Sequence, residues 1–297
     1  MHELFIGLIG LIVGFTVGLT GMGGGALMTP LLVLGMGINP LVAVSSDLVT
    51  AAVVKPIGAT AHLRHGTVHR GLVGWLCAGS IPAAIAGSLV LHHMGLGAAE
   101  AHRVQMAIGL TLLVAVVAIV AKGIIARRRA TMAPTHLSEL STRPLPTIAI
   151  GVIGGFVVSL TSVGSGSLMI VLLLVVYPKL SARQLVSTDL WQAIPLVLTA
   201  AVGHAFVGRV DIGLVAMLLV GCVPGVLLGA KASARASDHL VRSALVVVLA
   251  ASGLKMVGVP ALPVLGLLAA GCGVILVQQG IAKRRRPGGE AADIATA

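Results

Sequence analysis

The chain has 297 residues, of which 57% are hydrophobic and only 10% are charged, and its net charge is +11. An ordinary soluble domain has about 25% charged residues, because its surface must be wetted by water. The composition therefore excludes a soluble enzyme and a disordered chain, and it predicts an all-α, polytopic membrane protein.

Uncharged runs long enough to cross a bilayer, which takes about 20 helical residues, recur along the chain. Two of them, at positions 4–46 and 144–178, are too long for one span, and each has a Gly/Ser cluster near its middle. We interpret each as a helical hairpin or broken helix pair folded at that cluster. Single spans are predicted at 72–91, 104–121, 190–208, 212–230, 240–254 and 256–282.

The basic residues are distributed unevenly between the loops. Cytoplasmic loops carry an excess of Lys and Arg, and placing the C-terminus inside puts 16 of the 20 basic residues inside. The asymmetry predicts a multi-pass protein of the cell (inner) membrane with its N-terminus outside and its C-terminus in the cytoplasm. It also explains the positive charge without nucleic acid as a partner.

The two over-long runs are similar to each other. Positions 15–30 (FTVGLTGMGGGALMTP) and 156–171 (FVVSLTSVGSGSLMIV) are identical at 8 of 16 places. With one inserted residue the similarity continues, since SSDL at 45–48 matches STDL at 187–190 and His62 matches His204. The chain is therefore a duplicated unit.

The orientation count places the start of the first unit outside and the start of the second inside. This predicts two inverted repeats with Gly-broken helical hairpins, an arrangement in which secondary transporters bind substrate near the bilayer midplane. The predicted organisation is a first repeat at 1–126, a basic cytoplasmic linker at 127–146, a second repeat at 147–257, an extra transmembrane helix at 258–282 and a cytoplasmic tail at 283–297.

The glycine clusters are the first candidates for a substrate site. A half-helix after a break begins with unpaired N–H groups and the positive end of its dipole, which suits an anion. Glycine used only for tight helix crossing is the alternative. The predicted substrate-binding residues are Thr20, Gly21, Gly23, Gly24 and Gly25 in the first cluster, Thr161, Ser162, Gly164, Ser165 and Gly166 in the second, and the hydroxyl residues Ser45, Ser46, Ser187 and Thr188.

Of the nine acidic residues, only Asp47 and Asp189 fall well inside predicted membrane structure, and they occupy equivalent positions in the two repeats. A charge at mid-bilayer costs about 2.5–3.5 kcal/mol on the insertion scale, so such residues face a cavity, a partner or a proton path. Two hypotheses stand side by side: the two carboxyls carry coupling protons, or they hydrogen-bond the free backbone of a neighbouring break.

Lys55 lies two helical turns after Asp47 on roughly the same side. It joins the predicted substrate-binding set, because it either pairs with Asp47 or supplies positive charge to an anion path. The second repeat has Val197 at this place, so the cation belongs to one repeat only.

The histidines receive structural interpretations. His62 and His204 end their predicted spans and are expected near the headgroups. The spacing of His62, His65 and His69 fits one helix face, but Gly66 intervenes and no acidic or Cys partner is near. No metal site is therefore predicted.

These residues resemble the sulfite exporter TauE/SafE family, also called the TSUP permeases. The resemblance rests on the glycine cluster at 21–25 with Pro30, on the block at 43–48 and on 62–71, together with the counterparts of the first two in the second half. It covers positions 4–257. It implies two homologous halves and the movement of small sulfur-containing anions, such as sulfite or sulfonates, across the inner membrane.

We therefore predict a permease, not an enzyme, that moves a small sulfur-containing anion, most simply by export, and needs no cofactor. The expected partners are the anion, the lipid bilayer, protons as a coupling ion and further copies of the chain in a homo-oligomer. The alternative is a cation or metal-ion transporter that uses the intramembrane Asp and His residues.

Overall fold

The structure is a computed structural model that describes residues 2–20, 25–62, 68–93, 97–129, 142–166, 168–178, 180, 182–207, 210–233 and 238–271. Throughout these ranges the regular elements are helices. The first half contains α1 (His2–Thr20), α2 (Gly25–Pro30) continued by a π-helical segment (Leu31–Gly35), α3 (Pro40–His62), α4 (Arg70–His93) and α5 (Ala98–Arg129). The second contains α6 (Pro144–Thr161), α7 (Leu168–Val176), α8 (Ala182–Val207), α9 (Ile212–Ser233), α10 (Asp238–Met256) and α11 (Ala261–Gly271).

Among the described residues, six helical stretches are long and apolar enough to cross a membrane. They belong to α3, α4, α5, α6, α8 and α9. The outward faces of the bundle are apolar; Leu110, Val117 and Val220 are among the exposed side chains. The prediction of an all-α, polytopic membrane protein is confirmed.

The second over-long run folds back on itself. Pro144 begins α6, at the position where a missing N–H costs no helical hydrogen bond. The hydroxyl of Tyr177, just after α7, accepts a hydrogen bond from the backbone N–H of Arg143 (2.8 Å) and lies 2.6 Å from the Thr147 hydroxyl. Because the end of α7 returns to the start of α6, this run is a hairpin whose tip is the Gly/Ser cluster.

The last predicted span, at 256–282, begins too early. Helix α10 continues to Met256, Gly258 takes a left-handed φ of 95°, and α11 starts only at Ala261. The left-handed turn at Gly258 and the following Pro260 separate the two helices. Positions 272–282 lie outside the described residues.

Helices of one repeat pack mainly against helices of the other repeat. Helix α1 of the first repeat packs most extensively on α9 of the second, and α6, its counterpart, packs on α4, the counterpart of α9. The predicted repeats are thus joined by reciprocal contacts rather than packed as separate bundles. The linker at 127–146 joins α5 to α6 along the chain, and its residues 130–141 lie outside the described part.

Glycine makes the α1–α9 contact possible. A Cβ added at Gly10 would lie 2.6 Å from the carbonyl oxygen of Leu218, and one at Gly14 would overlap the backbone of Cys222. From the α9 side of the same contact, Gly225 packs on the backbone of Leu11 in α1. The two backbones touch in parallel alignment, the close approach that small residues allow in membrane helices.

Helices α3 and α8 occupy equivalent positions in the two repeats, and they meet in antiparallel orientation. Ser45 near the start of α3 contacts His204 near the end of α8, whereas Lys55, further along α3, interacts electrostatically with Asp189 near the start of α8. The crossing brings together the polar residues of both helices. The inverted orientation of the repeats in the bilayer stays a prediction.

The glycine contact predicts a difference between two substitutions in the same helix. Gly14→Ala inserts a methyl group into the backbone of α9, and we expect about 1–3 kcal/mol of destabilisation, the usual cost of overpacking. Gly7→Ala is the matched control, because a Cβ there meets nothing within 4 Å. Thermal unfolding in detergent measures both, and equal melting temperatures would contradict the close contact.

Candidate functional site

The start of α2 meets the break between α6 and α7 inside the protein. A Cβ added at Gly25, the first residue of α2, would overlap the carbonyl oxygen of Ser162 in the second break. Ser162 itself has a left-handed φ of 58°, and Gly164 and Gly166 have φ of 111° each. Irregular backbone at membrane depth persists only where it packs in protein or lines a polar cavity, and here the second break packs on the start of α2.

Helix α3 holds the first intramembrane carboxylate beside this meeting point. The Thr29 hydroxyl of α2 donates a 2.7 Å hydrogen bond to Oδ2 of Asp47, and the Ser162 side chain also hydrogen-bonds to this carboxylate. Asp47 is 1% exposed. Asp47 therefore binds one hydroxyl from α2 and one from the tip of the second hairpin.

Lys55, two turns further along α3, reaches the same hairpin tip. Its Nζ donates a hydrogen bond to Oγ of Ser165, and the side chain is 8% exposed. Asp189 of α8 and Asp47 both stabilise its positive charge electrostatically, Asp189 more strongly. The second-repeat equivalent, Val197, is buried in the apolar core.

The resulting site contains one cation, two carboxylates and the hydroxyls of a hairpin tip, all buried in a chain that spans the membrane. Because both Asp47 and Asp189 act on Lys55, the three formal charges sum to −1 when all are ionised. Protonation of one carboxyl, or its displacement from Lys55, leaves the ammonium and the Ser165 hydroxyl as donors for an anion.

The other predicted residues occupy three kinds of place. Thr20 and Thr161 bond back to carbonyls of their own helices, at 2.8 and 2.7 Å. Ser46 lies away from the tips, where its Oγ accepts the N–H of Asp211 at 3.2 Å. Ser187 and Thr188 are buried on α8 next to Asp189. Three residues of the first break, Gly21, Gly23 and Gly24, lie outside the described residues.

His204 contradicts the expectation from the sequence. Its side chain is 1% exposed, and its ring bonds to Ser45 of α3 and to the Ser159 carbonyl of α6. The ring therefore faces protein rather than lipid headgroups, because α3 and α6 cover α8 at this end. The side chain of its counterpart His62 lies outside the described part of the chain.

The suggested metal cluster of three histidines is not assembled from the described residues. His65 lies outside them, and His69 accepts the N–H of Leu72 at 3.2 Å, as an N-terminal cap of α4. Its counterpart Asp211 caps α9 in the same way, through a 3.0 Å bond to Leu214. No group of three possible metal ligands occurs in the part of the chain that the structure describes.

Two polar contributions were missed in the sequence analysis. Thr29 lies in an apolar segment and has Ile170 as its counterpart, so the comparison of the repeats gave no signal for it. Gln192 donates a 2.8 Å hydrogen bond to Ser80 of α4. It follows Thr188 by four residues and therefore shares its helix face, a spacing that could have identified it.

The amino-acid sequence matches known proteins over nearly its whole length. The family model described as "Sulfite exporter TauE/SafE" matches residues 6–256, and the chain therefore belongs to this family. It is 38% identical over 255 residues to the probable membrane transporter protein YjnA of Bacillus subtilis (strain 168), covering 84% of this chain and 98% of that protein. It is 26% identical over 262 residues to YdhB, also a probable membrane transporter protein of that strain, covering 85% and 99%. No solved structure matches significantly.

The contact between the breaks predicts the effect of one added methyl group. Gly25→Ala would push α2 away from Ser162, and we expect lower thermal stability, by about 1–3 kcal/mol of overpacking. Gly35→Ala is the control in the same segment, since a Cβ there meets nothing within 4 Å. Differential scanning fluorimetry in detergent separates them, and a Gly25→Ala protein as stable as its control would exclude the contact.

The Thr29–Asp47 bond predicts a second difference in stability. Thr29→Val keeps the shape of the side chain but removes a buried donor to a carboxylate, for which we expect a loss of about 1.5–3 kcal/mol. Thr29→Ser keeps the hydroxyl and is expected to recover most of that loss. The comparison is made at one pH by thermal unfolding, and equal losses in both variants would show that the hydroxyl is not what matters.

Proposed function

Starting from membership of the TauE/SafE family, we propose that this membrane permease moves a small sulfur-containing anion, sulfite or an organosulfonate, across the inner membrane. Export is the proposed direction. The chain acts by binding and conformational change, and no catalytic step is assigned to it.

One observation carries the anion specificity, namely that Lys55 is buried on a membrane-spanning helix and donates to Ser165 at the tip of a hairpin. A buried ammonium is costly unless it has a partner. Lys55 has a hydroxyl and two carboxylates near it. A dianionic or monoanionic oxyanion supplies the same compensation and several acceptor oxygens, so it can replace one carboxylate as the partner.

The substrate in this proposal binds between the hairpin tips. Lys55 supplies charge, the hydroxyls of Ser162 and Ser165 supply donors, and Gly25 lets the first hairpin approach closely. The remaining glycines and hydroxyl residues predicted from the sequence form the surrounding path. Asp47 and Asp189 repel the anion while they are ionised. Protonation of these carboxyls is therefore proposed to favour anion binding.

The antiparallel contact of α3 and α8 supports inverted repeats related by an axis in the membrane plane. Equivalent helices of inverted repeats cross the bilayer in opposite directions. The Ser45–His204 hydrogen bond and the electrostatic interaction of Lys55 with Asp189 fit that antiparallel orientation. In this arrangement, with the N-terminus outside and the C-terminus in the cytoplasm, each hairpin enters from a different side and the substrate site lies where the tips meet.

The membrane potential favours export of an anion, by about 2.3 kcal/mol per charge for each 100 mV, inside negative. Export down this gradient needs no other driving force. Movement against it needs a coupling ion, and Asp47 and Asp189 are the proposed proton carriers.

Reconstituted vesicles test the role of Lys55. Lys55→Met removes the charge at similar length, and because a hydrogen bond to a charged group contributes about 1.5–3 kcal/mol, we expect the KM for sulfite efflux to rise at least about tenfold. Lys255→Met is the matched control, because Lys255 is exposed at the end of α10. Size-exclusion profiles confirm that both variants fold.

The same vesicles test substrate and coupling. Efflux of sulfite and of a small sulfonate is measured under an imposed inside-negative potential, with and without a pH gradient. Wild-type vesicles that move neither anion would disprove the proposed substrate class. Flux that ignores the pH gradient, together with a silent Asp47→Asn, would disprove proton coupling through this carboxyl.

A further inference from the structure

A buried chain of hydrogen bonds joins three helices through His204. The ring nitrogen Nε2 lies 3.0 Å from the carbonyl oxygen of Ser159 on α6, and Nδ1 lies 2.8 Å from Oγ of Ser45 on α3. Oγ of Ser45 is also 2.8 Å from the carbonyl oxygen of Leu41. The three distances are all those of hydrogen bonds.

The number of protons determines how many of these bonds exist at once. A carbonyl oxygen only accepts, so Nε2 carries a proton, and Ser45 has one hydroxyl proton to donate. With a neutral ring that proton goes either to Nδ1 or to Leu41, and one contact stays without a hydrogen. With a proton on Nδ1 as well, the ring donates to Ser45 and Ser45 donates to Leu41, so all three bonds are made.

We propose that His204 is a proton-binding site of the permease, in which the Ser45 hydroxyl and the Ser159 carbonyl accept from the doubly protonated ring. The added proton comes from the aqueous phase and occupies the lone pair of Nδ1. The Ser45 hydroxyl turns from Nδ1 to Leu41, and no covalent bond between heavy atoms changes. The expected effect on flux rests on the proposed transport function, whereas proton binding by His204 does not.

Among the described residues, few charged groups belong to the elements around His204, and one of them is Asp211 at the start of α9, whose N–H bonds to Ser46 beside Ser45. Helices α6 and α7 contain no titratable side chain. Helix α3 contributes Asp47, two residues after Ser45, and Lys55 further along. Helix α4 packs Ser88 on Gly203 and has His92 and His93 beyond it, while Asp189 lies four turns earlier on α8. Asp47 is thus the nearest acid along α3.

Protonation connects α8 to α6 of the same repeat and to α3 of the other repeat. A charge-assisted hydrogen bond is roughly twice as strong as a neutral one, so the proton stabilises the conformation seen here. Any transport step that separates α3 from α8 becomes slower when His204 is charged. We therefore expect protonation of His204 to lower flux at acid pH, an effect opposite to that proposed for protonation of Asp47 and Asp189 and removed by His204→Gln.

Nitrogen NMR tests proton binding without any substrate. Protein labelled with ¹⁵N-histidine is titrated between about pH 5 and 8, where a histidine changes charge, and the His204 signals are assigned by their loss in His204→Gln. We expect both ring nitrogens to be protonated at the acid end and only Nε2 at the alkaline end. A single neutral tautomer over the whole range would overturn the proposal, whatever the protein transports.

Flux in vesicles gives the second measurement. His204→Gln can donate to Ser159 and accept from Ser45 but does not titrate, so its flux is expected not to fall at acid pH. His102→Gln, on the exposed side of α5, is the control and keeps the wild-type profile. If His204→Gln lowers flux equally at every pH and leaves the profile unchanged, its role is structural and the proposal fails.

Ser45→Ala keeps the histidine and covers the case in which His204→Gln does not fold. It removes the acceptor of the Nδ1 proton, so the midpoint in NMR and in flux is expected to move to lower pH by about half a unit to one unit. An unmoved midpoint would contradict the role of Ser45. Vesicles in which the wild type moves no anion would disprove the transport function but leave the NMR result decisive for proton binding.

Discussion

The contact between the two hairpin tips is the constraint on which the rest of the structure depends. A chain that leaves helical geometry within a bilayer exposes N–H and C=O groups that lipid cannot satisfy. Gly25 packs on Ser162, and the side chains of Ser162 and Ser165 bind Asp47 and Lys55. The irregular backbone of the second break is therefore stabilised because α2 and α3 pack on it, and polar groups concentrate at the same place.

Bringing the tips together requires the flanking helices to approach unusually closely. Gly14 on α1 and Gly225 on α9 put backbone against backbone, and α4 and α6 do the same through Gly79 and Gly155. Because each pair joins one helix from each repeat, neither repeat is a complete packing unit. The high glycine content thus serves helix packing at least as much as it serves the breaks.

Much of this architecture could be predicted from the sequence. An apolar composition directly indicates membrane helices, and a repeated sequence directly indicates repeated structural elements. The second glycine cluster correctly predicted the break between α6 and α7, and isolated acids in apolar runs singled out Asp47 and Asp189. Contacts between segments far apart in sequence could not be predicted in this way. Thr29 has an apolar counterpart, and His204 near a helix end looked like a headgroup residue until α3 and α6 were seen to cover it.

Some features of the first repeat recur in the second repeat, and others do not. Capping is repeated, since His69 and Asp211 perform the same task at equivalent positions. The buried cation is not repeated, because Val197 stands where Lys55 has its counterpart. The proposed function uses both features, because repeated helices provide the framework and a single lysine provides one positive centre for one anion.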